Sequence, residues 1–358
     1  MRSIPGPFIA KISSQWIGRH DANGDRTLSV HAAHVKYGPV VRIAPNEVSF
    51  APVEAIKEIY GQATPFMKTA FYSGFEQGNI LTLFTSRDKV FHSQRRKLLN
   101  HAFAQKAILD AEPLLGEQVK KFLGWLEKKK GQDMDVFMWF RNLTLDLTSS
   151  LFMGAEIGGL DGDVAHDYLS NIDDYFKIAG LRLQHPWLLE LMKLVPIPRW
   201  QYFVHAQDRL YEYGVSSFQK YIEKYGRNSK RNDLLKKVLH GDSTVPKLTD
   251  LEVRTEMASI LVAGMDTTSI VLTYAFWSMA KNPDFQDKIR QELKETGVTF
   301  TDGMASYREI ERLEYLDAFT LEILRVYTAG CSSLPREVPA GGAVICGTKV
   351  PAGVSLLL

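Results

Sequence analysis

The chain of 358 residues is 45% hydrophobic and 23% charged, the balance of a globular protein with ample core, which excludes a low-complexity or disordered polypeptide. A formal net charge of +2 gives no electrostatic case for nucleic acid, and the short basic runs Lys128-Lys129-Lys130 and Arg227 to Lys237 read as solvated helix ends or loops. Two cysteines, Cys331 and Cys346, exclude a disulfide scaffold and a zinc cluster and fit a reducing compartment, and the nine histidines form no H-E-x-x-H pattern.

Met1 to Pro7 contains no apolar run, so neither a signal peptide nor an anchor is expected there, and Pro5-Gly6-Pro7 reads as a stiff turn. Asp21, Asn23 and Asp25 have the spacing of a calcium loop, but Arg26 stands where that loop needs glycine, and a polar turn is expected instead. His31 to Tyr37 reads as a short helix closed by Gly38-Pro39. Two β-rich runs, Val40 to Ala44 and Val48 to Phe50, join at Pro45-Asn46 as a hairpin, and a helix follows over Pro52 to Tyr60. From Thr64 to Phe84 there is no clean period, and Gly74, Gly78 and several aromatic residues mark a long loop of the kind that carries function.

A helix is expected from about Ser86, with His92 and Arg96 at i,i+4 on one face. That face is either solvated or a clamp for an anionic group, because a guanidinium can bind a carboxylate through two parallel bonds. Helical patterns follow at Glu112 to Lys130, Val136 to Met153 and His166 to Leu183, with Asp161 and Asp163 in a Gly-rich loop. The connection His185 to Pro198 is so apolar that it either packs under its neighbours or meets a membrane surface or an apolar substrate. Arg199 to Tyr225 then reads as one long amphipathic helix.

The longest pattern opens at Thr249-Asp250-Leu251-Glu252, a capping box, and meets no proline until Asn282-Pro283. At ~1.5 Å per residue it is about 45 Å long. Glu256, Ser259, Ala263, Asp266, Thr267 and Ile270 fall near one line along it. Ala263 and Gly264 leave room for a flat group to approach, Thr267 can bond back to the Ala263 carbonyl, and Asp266 adds a carboxylate beside it. The periodicity alone leaves three readings open: a buried soluble helix, a membrane span over the about 24 residues from Met257 to Ala280, or a reactive notch. Beyond this helix, another runs from Pro283 to Thr296, and Glu322 and Arg325 at i,i+3 read by spacing as a surface ion pair.

Four of these stretches resemble, in order, the motifs of the cytochrome P-450 (haem-thiolate) monooxygenases of fungal type. They are His92-Ser93-Gln94-Arg95-Arg96 with Leu98-Leu99-Asn100, Ala263-Gly264-Met265-Asp266-Thr267-Thr268, Glu322-Ile323-Leu324-Arg325, and Pro335-Arg336-Glu337. Lys36 to Ile43 with Pro45 to Val48 is similar to the family's amino-terminal sheet. The resemblance implies a mainly α fold with a small β sheet, as one partial domain over residues 1–358: a β-rich part at about 31–60, a helical part at about 86–328 and a hairpin region at about 333–358. It implies a haem cofactor, with Arg96, Arg336 and His92 on the propionates, His92 standing where the family often has tryptophan. Ala263 and Gly264 would lie against the porphyrin face, Asp266 and Thr267 would relay protons, and Glu322 with Arg325 would form a buried structural pair. The loop Thr64 to Phe84, the lid over His185 to Pro198 and residues Thr328 to Leu334 would shape the pocket.

The implied activity is insertion of one oxygen atom from O2 into an apolar small molecule. Electrons would come from NADPH through a reductase, at the cytoplasmic face of the endoplasmic reticulum membrane for a complete member. The sequence has no Phe-x-x-Gly-x-Arg-x-Cys loop, so neither Cys331 nor Cys346 is expected to ligate iron and no metal ligand is assigned. The chain is therefore expected to be an incomplete copy, without that loop or an amino-terminal anchor, and inactive as it stands. Two further readings are a helical relic that binds no haem and a single-span membrane protein, in which Asp266 would sit at mid-span at high cost.

Overall fold

The computed structural model describes residues 1, 3–76, 80–154, 156–240, 247–330 and 334–358. Cys331 and Gly78 lie outside the described residues.

The amino-terminal part pairs α1 (Gln15–Asn23) and α2 (Arg26–Tyr37) with the hairpin of β1 (Val40–Ala44) and β2 (Glu47–Phe50), followed by α3 (Glu54–Tyr60) and the short β3 (Met67–Lys68). The acidic residues of the apparent calcium loop close this corner as a turn: Gly24 adopts φ 72° at the end of α1, and Asp21 binds Arg26. Gly6 is obligatory because a Cβ there would come within 2.2 Å of Arg42 O, where the terminal segment runs against β1.

The helical part comprises α4 (Lys89–Asn100), α5 (Gln105–Asp110), α6 (Glu112–Lys128), α7 (Val136–Phe152), α8 (Asp167–Gln184), α9 (Pro186–Leu194), α10 (Pro198–Val204), α11 (Ala206–Tyr225), α12 (Leu234–His240), α13 (Asp250–Lys281), α14 (Pro283–Thr296), α15 (Tyr307–Ile310) and α16 (Glu314–Val326). The chain then returns through β4 (Arg336–Glu337), β5 (Ala343–Ile345), β6 (Thr348–Val350) and β7 (Ser355–Leu357). One sheet has the order β1-β2-β7-β4-β3, with β7 parallel to β2, and β5-β6 form a separate hairpin. The architecture is mainly helical with small sheets, as the resemblance implies.

At the centre is α13, 32 residues and about 48 Å long. Its start is fixed by both halves of the capping box, Thr249 Oγ1 accepting from Glu252 N and the Glu252 carboxylate accepting from Thr249 N. Met257, Ala258, Leu261, Val262 and Met265 bury its apolar side with residues of α7, α8, α11 and α12. Among the described residues it is the one helix long and apolar enough to cross a membrane, but that side is packed inside the helical core.

Two local expectations change, and a third gains a partner. Arg199 to Tyr225 is two helices that meet at His205, whose ring nitrogen binds Asp208 in the first turn of α11. The apolar connection 185–198 is largely helical as α9 and leaves Trp187 66% and Leu194 81% exposed. The Gly-rich turn after α7 is a nest for a buried carboxylate, because Gly158 N, Gly159 N and Leu160 N all donate to Asp146 at 2.8–2.9 Å.

Candidate functional site

Along α13 the packed side leaves an opposite strip carrying Ala263, Thr267 and Thr268 exposed. The Thr267 hydroxyl donates to Ala263 O at 2.7 Å, the back-bond that the four-residue spacing allows. Gly264 does not share this strip. A Cβ on it would come within 3.0 Å of Thr148 Cγ2 on α7, so its lack of a side chain serves the close approach of two core helices. The notch on the open side is made by Ala263 and Thr267.

Asp266 also departs from expectation. Its carboxylate lies 3.3 Å from Arg141 Nε of α7 and is three-quarters covered, while Arg141 is bound by Asp173 of α8 through bonds of 2.6 and 3.2 Å. Burial pushes the Asp266 carboxyl above its ordinary range, opposed by the Arg141 charge. The acid is thus tied into an Asp266–Arg141–Asp173 cluster instead of lying free beside Thr267. Sequence reading missed Arg141 and Asp173 because their elements are separated from α13 by long stretches of chain.

The helix α4 divides its two adjacent arginines between two environments, as the ~100° step per residue requires. Arg95 is buried, with Nη2 donating to Glu252 at 2.6 Å and Nε 3.5 Å from Glu256, so α4 is bound to the first turns of α13. Arg96 faces outward beside His92. The His92 imidazole is held below its usual range, first by burial and then by the positive charges of Lys68, Arg96 and Arg336. Arg336 leaves β4 to donate to Tyr72 Oη at 3.0 Å and to two backbone carbonyls, with its guanidinium over the Tyr60 ring. Among the described residues neither Arg96 nor Arg336 pairs with a carboxylate.

Four cationic or protonatable groups therefore converge with no acid paired to either arginine, and two of them, His92 and Arg336, line a cavity of about 250 Å³ together with Lys89 and Tyr60. Lys68 also feels the charge of Glu256, and Glu256 stands two turns, about 10 Å, before Ala263 on the same line of α13. Through Lys68 the cluster is thus linked to Glu256, on the line of α13 that also carries Ala263. Such an arrangement fits a group with two carboxylates at one edge and a flat apolar body, since charge-assisted bonds to guanidinium are the strong ones. Arg96, Arg336 and His92 fit haem in that respect.

The Glu322–Arg325 pair forms as two bonds of 2.6 and 2.7 Å, but its side chains are 57% and 70% exposed. The burial expected from the resemblance is not met, because among the described residues no segment covers this face of α16. Cys346 sits at the tip of the β5-β6 hairpin with φ 44°, its N–H donating to Glu58 at 2.9 Å. Burial and the charges of Glu58 and Glu54 push its thiol up, which disfavours the thiolate an iron site requires.

The irregular stretch after β3 ends in an aromatic cluster. Phe75 stands edge-on to Phe71, Phe84, Tyr175 and Phe176, and Phe84 also meets Tyr72. Its apolar faces supply the kind of wall an apolar ligand needs.

Comparison with known proteins agrees with this geometry. The cytochrome P450 family model matches residues 4–358. The chain is 30% identical to the cytochrome P450 monooxygenase tazI of Aspergillus terreus, over 99% of this chain and 72% of that protein. It is 29% identical to the cytochrome P450 monooxygenase ORF11 of Penicillium roqueforti, over 98% of this chain and 73% of that protein. It is 28% identical to the benzoate 4-monooxygenase bphA of Aspergillus niger, over 95% of this chain and 70% of that protein. A match running nearly from end to end, on a mainly helical fold with small sheets, makes this chain a member of the cytochrome P450 family.

Proposed function

We propose that the chain holds haem with its flat face on the Ala263 and Thr267 strip of α13 and its propionates on Arg96, Arg336 and His92, as part of a monooxygenase acting on an apolar small molecule. When bound, haem supplies the iron chemistry that activates dioxygen. The observation that carries the reading is the convergence of Arg96, Arg336, His92 and Lys68 with neither arginine paired to an acid.

The chain's own residues do the rest. Arg96 and Arg336 bind and orient the anionic edge, and Arg95, fixed to Glu252 and Glu256, holds α4 in place beneath them. Ala263 keeps the strip low enough for a flat body. Thr267 holds a hydroxyl proton at Oγ1, parked on Ala263 O, and rotation about one bond redirects it into the open strip. Asp266 serves as a proton reservoir behind it, screened by Arg141. Phe71, Phe75, Phe84 and Phe176 exclude water and favour an apolar, aromatic-compatible substrate.

Electron supply from NADPH through a reductase, and residence at the cytoplasmic face of the endoplasmic reticulum membrane, belong to the same proposal and follow from the family. The exposed apolar side chains Phe8, Ile9 and Ile12 near the amino terminus, with Trp187, Leu191 and Leu194 on α9, support contact with a lipid surface.

Titration of the purified protein with haemin tests the reading. Saturable uptake at one equivalent, with affinity falling about 10-fold or more in each of Arg96→Ala and Arg336→Ala, as loss of a charge-assisted bond requires, is the expected result. Absence of saturable uptake would favour a helical relic that binds no haem.

A further inference from the structure

The turn at 82–86 is held in an unusual way. Thr82 and Thr85 each accept the other's backbone N–H, at 3.0 and 3.2 Å, and both side chains are buried. Inside this turn the peptide groups of a single residue are gripped from two directions. Leu83 N donates to Glu256 Oε1 of α13 at 2.8 Å, and Lys68 Nζ of β3 donates to Leu83 O at 3.0 Å and Phe84 O at 2.7 Å. Glu256 is 2% exposed and is itself held near Arg95, so its position is set by the helix core and not by solvent.

The neighbour of this clamped residue is Phe84, whose ring meets Tyr72 and Phe75 at centroid distances of 5.4 and 5.6 Å. Phe75 in turn packs on Phe176 and accepts from Tyr175 Oη at its carbonyl. A chain of contacts therefore runs from α13 through one backbone unit to the aromatic wall.

We infer that Glu256 and Lys68 are positioning residues that set the register of the Phe84 wall against the central helix, and so select which apolar substrates pack on that wall. The selectivity part rests on the reading, given under Proposed function, that these phenylalanines face an apolar substrate. The latch itself rests on the three bonds to Leu83 and Phe84.

Hydrogen–deuterium exchange in the absence of haem reads the latch directly. In Glu256→Ala the Leu83 amide should exchange at least ~10-fold faster than in the parent chain, because its acceptor is gone. Amides in the middle of α7 should be unchanged. Glu256→Gln retains an acceptor oxygen and should restore most of the protection. Lys68→Met, which leaves Glu256 and Arg95 in place, should also speed Leu83 exchange. Unchanged Leu83 exchange in both Glu256→Ala and Lys68→Met, or equal loss in Glu256→Ala and Glu256→Gln, would overturn the latch.

Binding of phenanthrene, followed by its fluorescence, reads selectivity. Affinity should drop about threefold or more in Glu256→Ala and Lys68→Met and return in Glu256→Gln. If neither the parent nor any variant binds phenanthrene while the exchange differences persist, the selectivity claim fails together with the apolar-substrate reading, and the bonds to Leu83 remain as a structural latch only.

Discussion

Replacing Glu256 by glutamine should flatten part of the pH dependence of stability. Glu256 is almost wholly buried, and desolvation pushes its carboxyl from 4.5 up to about 7, against the opposing effects of Arg95, the Leu83 N–H and Lys68, with Glu252 adding to the rise. A raised folded-state value means that the fold favours the protonated acid. Its contribution to stability is present in full below about 4.5 and is lost as pH rises through about 7. A displacement of about 2.5 units corresponds to about 3 kcal/mol at ~1.36 kcal/mol per unit.

Glutamine does not titrate, so the stability difference between Glu256→Gln and the parent should move in favour of the variant by about 3 kcal/mol between pH 4.5 and 8. Taking the difference removes groups common to both chains. Urea unfolding followed by tryptophan fluorescence at several pH values, in a chain with 6 tryptophans, measures it. A difference constant across this range, or one that moves the other way, would show that Arg95 and not desolvation governs the carboxylate.

Gly264→Val should destabilise the chain by about 1–3 kcal/mol through overpacking against Thr148, with partial relief when Thr148→Ala is added, as thermal unfolding of the single and double variants would show. If Gly264 instead bordered the open strip, Gly264→Val would leave stability nearly unchanged. Glu322→Ala should cost less than about 1 kcal/mol, the range of exposed ion pairs, because both partners are more than half exposed; a loss of several kcal/mol in urea unfolding would mean that the pair is buried in solution.

Much of this site was legible in the sequence where local rules dominate. The capping box at Thr249 and the proline at 283 fixed both ends of α13, the paired runs around Pro45-Asn46 gave β1 and β2, and the i,i+4 spacing put His92 and Arg96 on one face. What stayed hidden depends on direction and on distant partners. No local signal separates Arg95 from Arg96, yet one is locked to Glu252 and the other faces outward. Glu256 stood on the small-and-polar line of α13, but its partners Arg95 and Leu83 come from elements far away in the chain. Lys68 lies inside the stretch from Thr64 to Phe84 that has no clean period, so nothing marked it as a clamp. Gly264 was read as open space for a ligand, whereas its missing side chain faces another helix.

The most direct test of the account compares haemin with its dimethyl ester, which has the same macrocycle and iron but neutral propionates. The cationic cluster predicts that the parent chain binds haemin at least ~10-fold more tightly than the ester, from loss of charge-assisted bonds, and that this preference collapses in the Arg96→Ala, Arg336→Ala double variant. Equal affinity for the two in the parent chain, or a preference that survives the double variant, would contradict the placement of the anionic edge on Arg96 and Arg336.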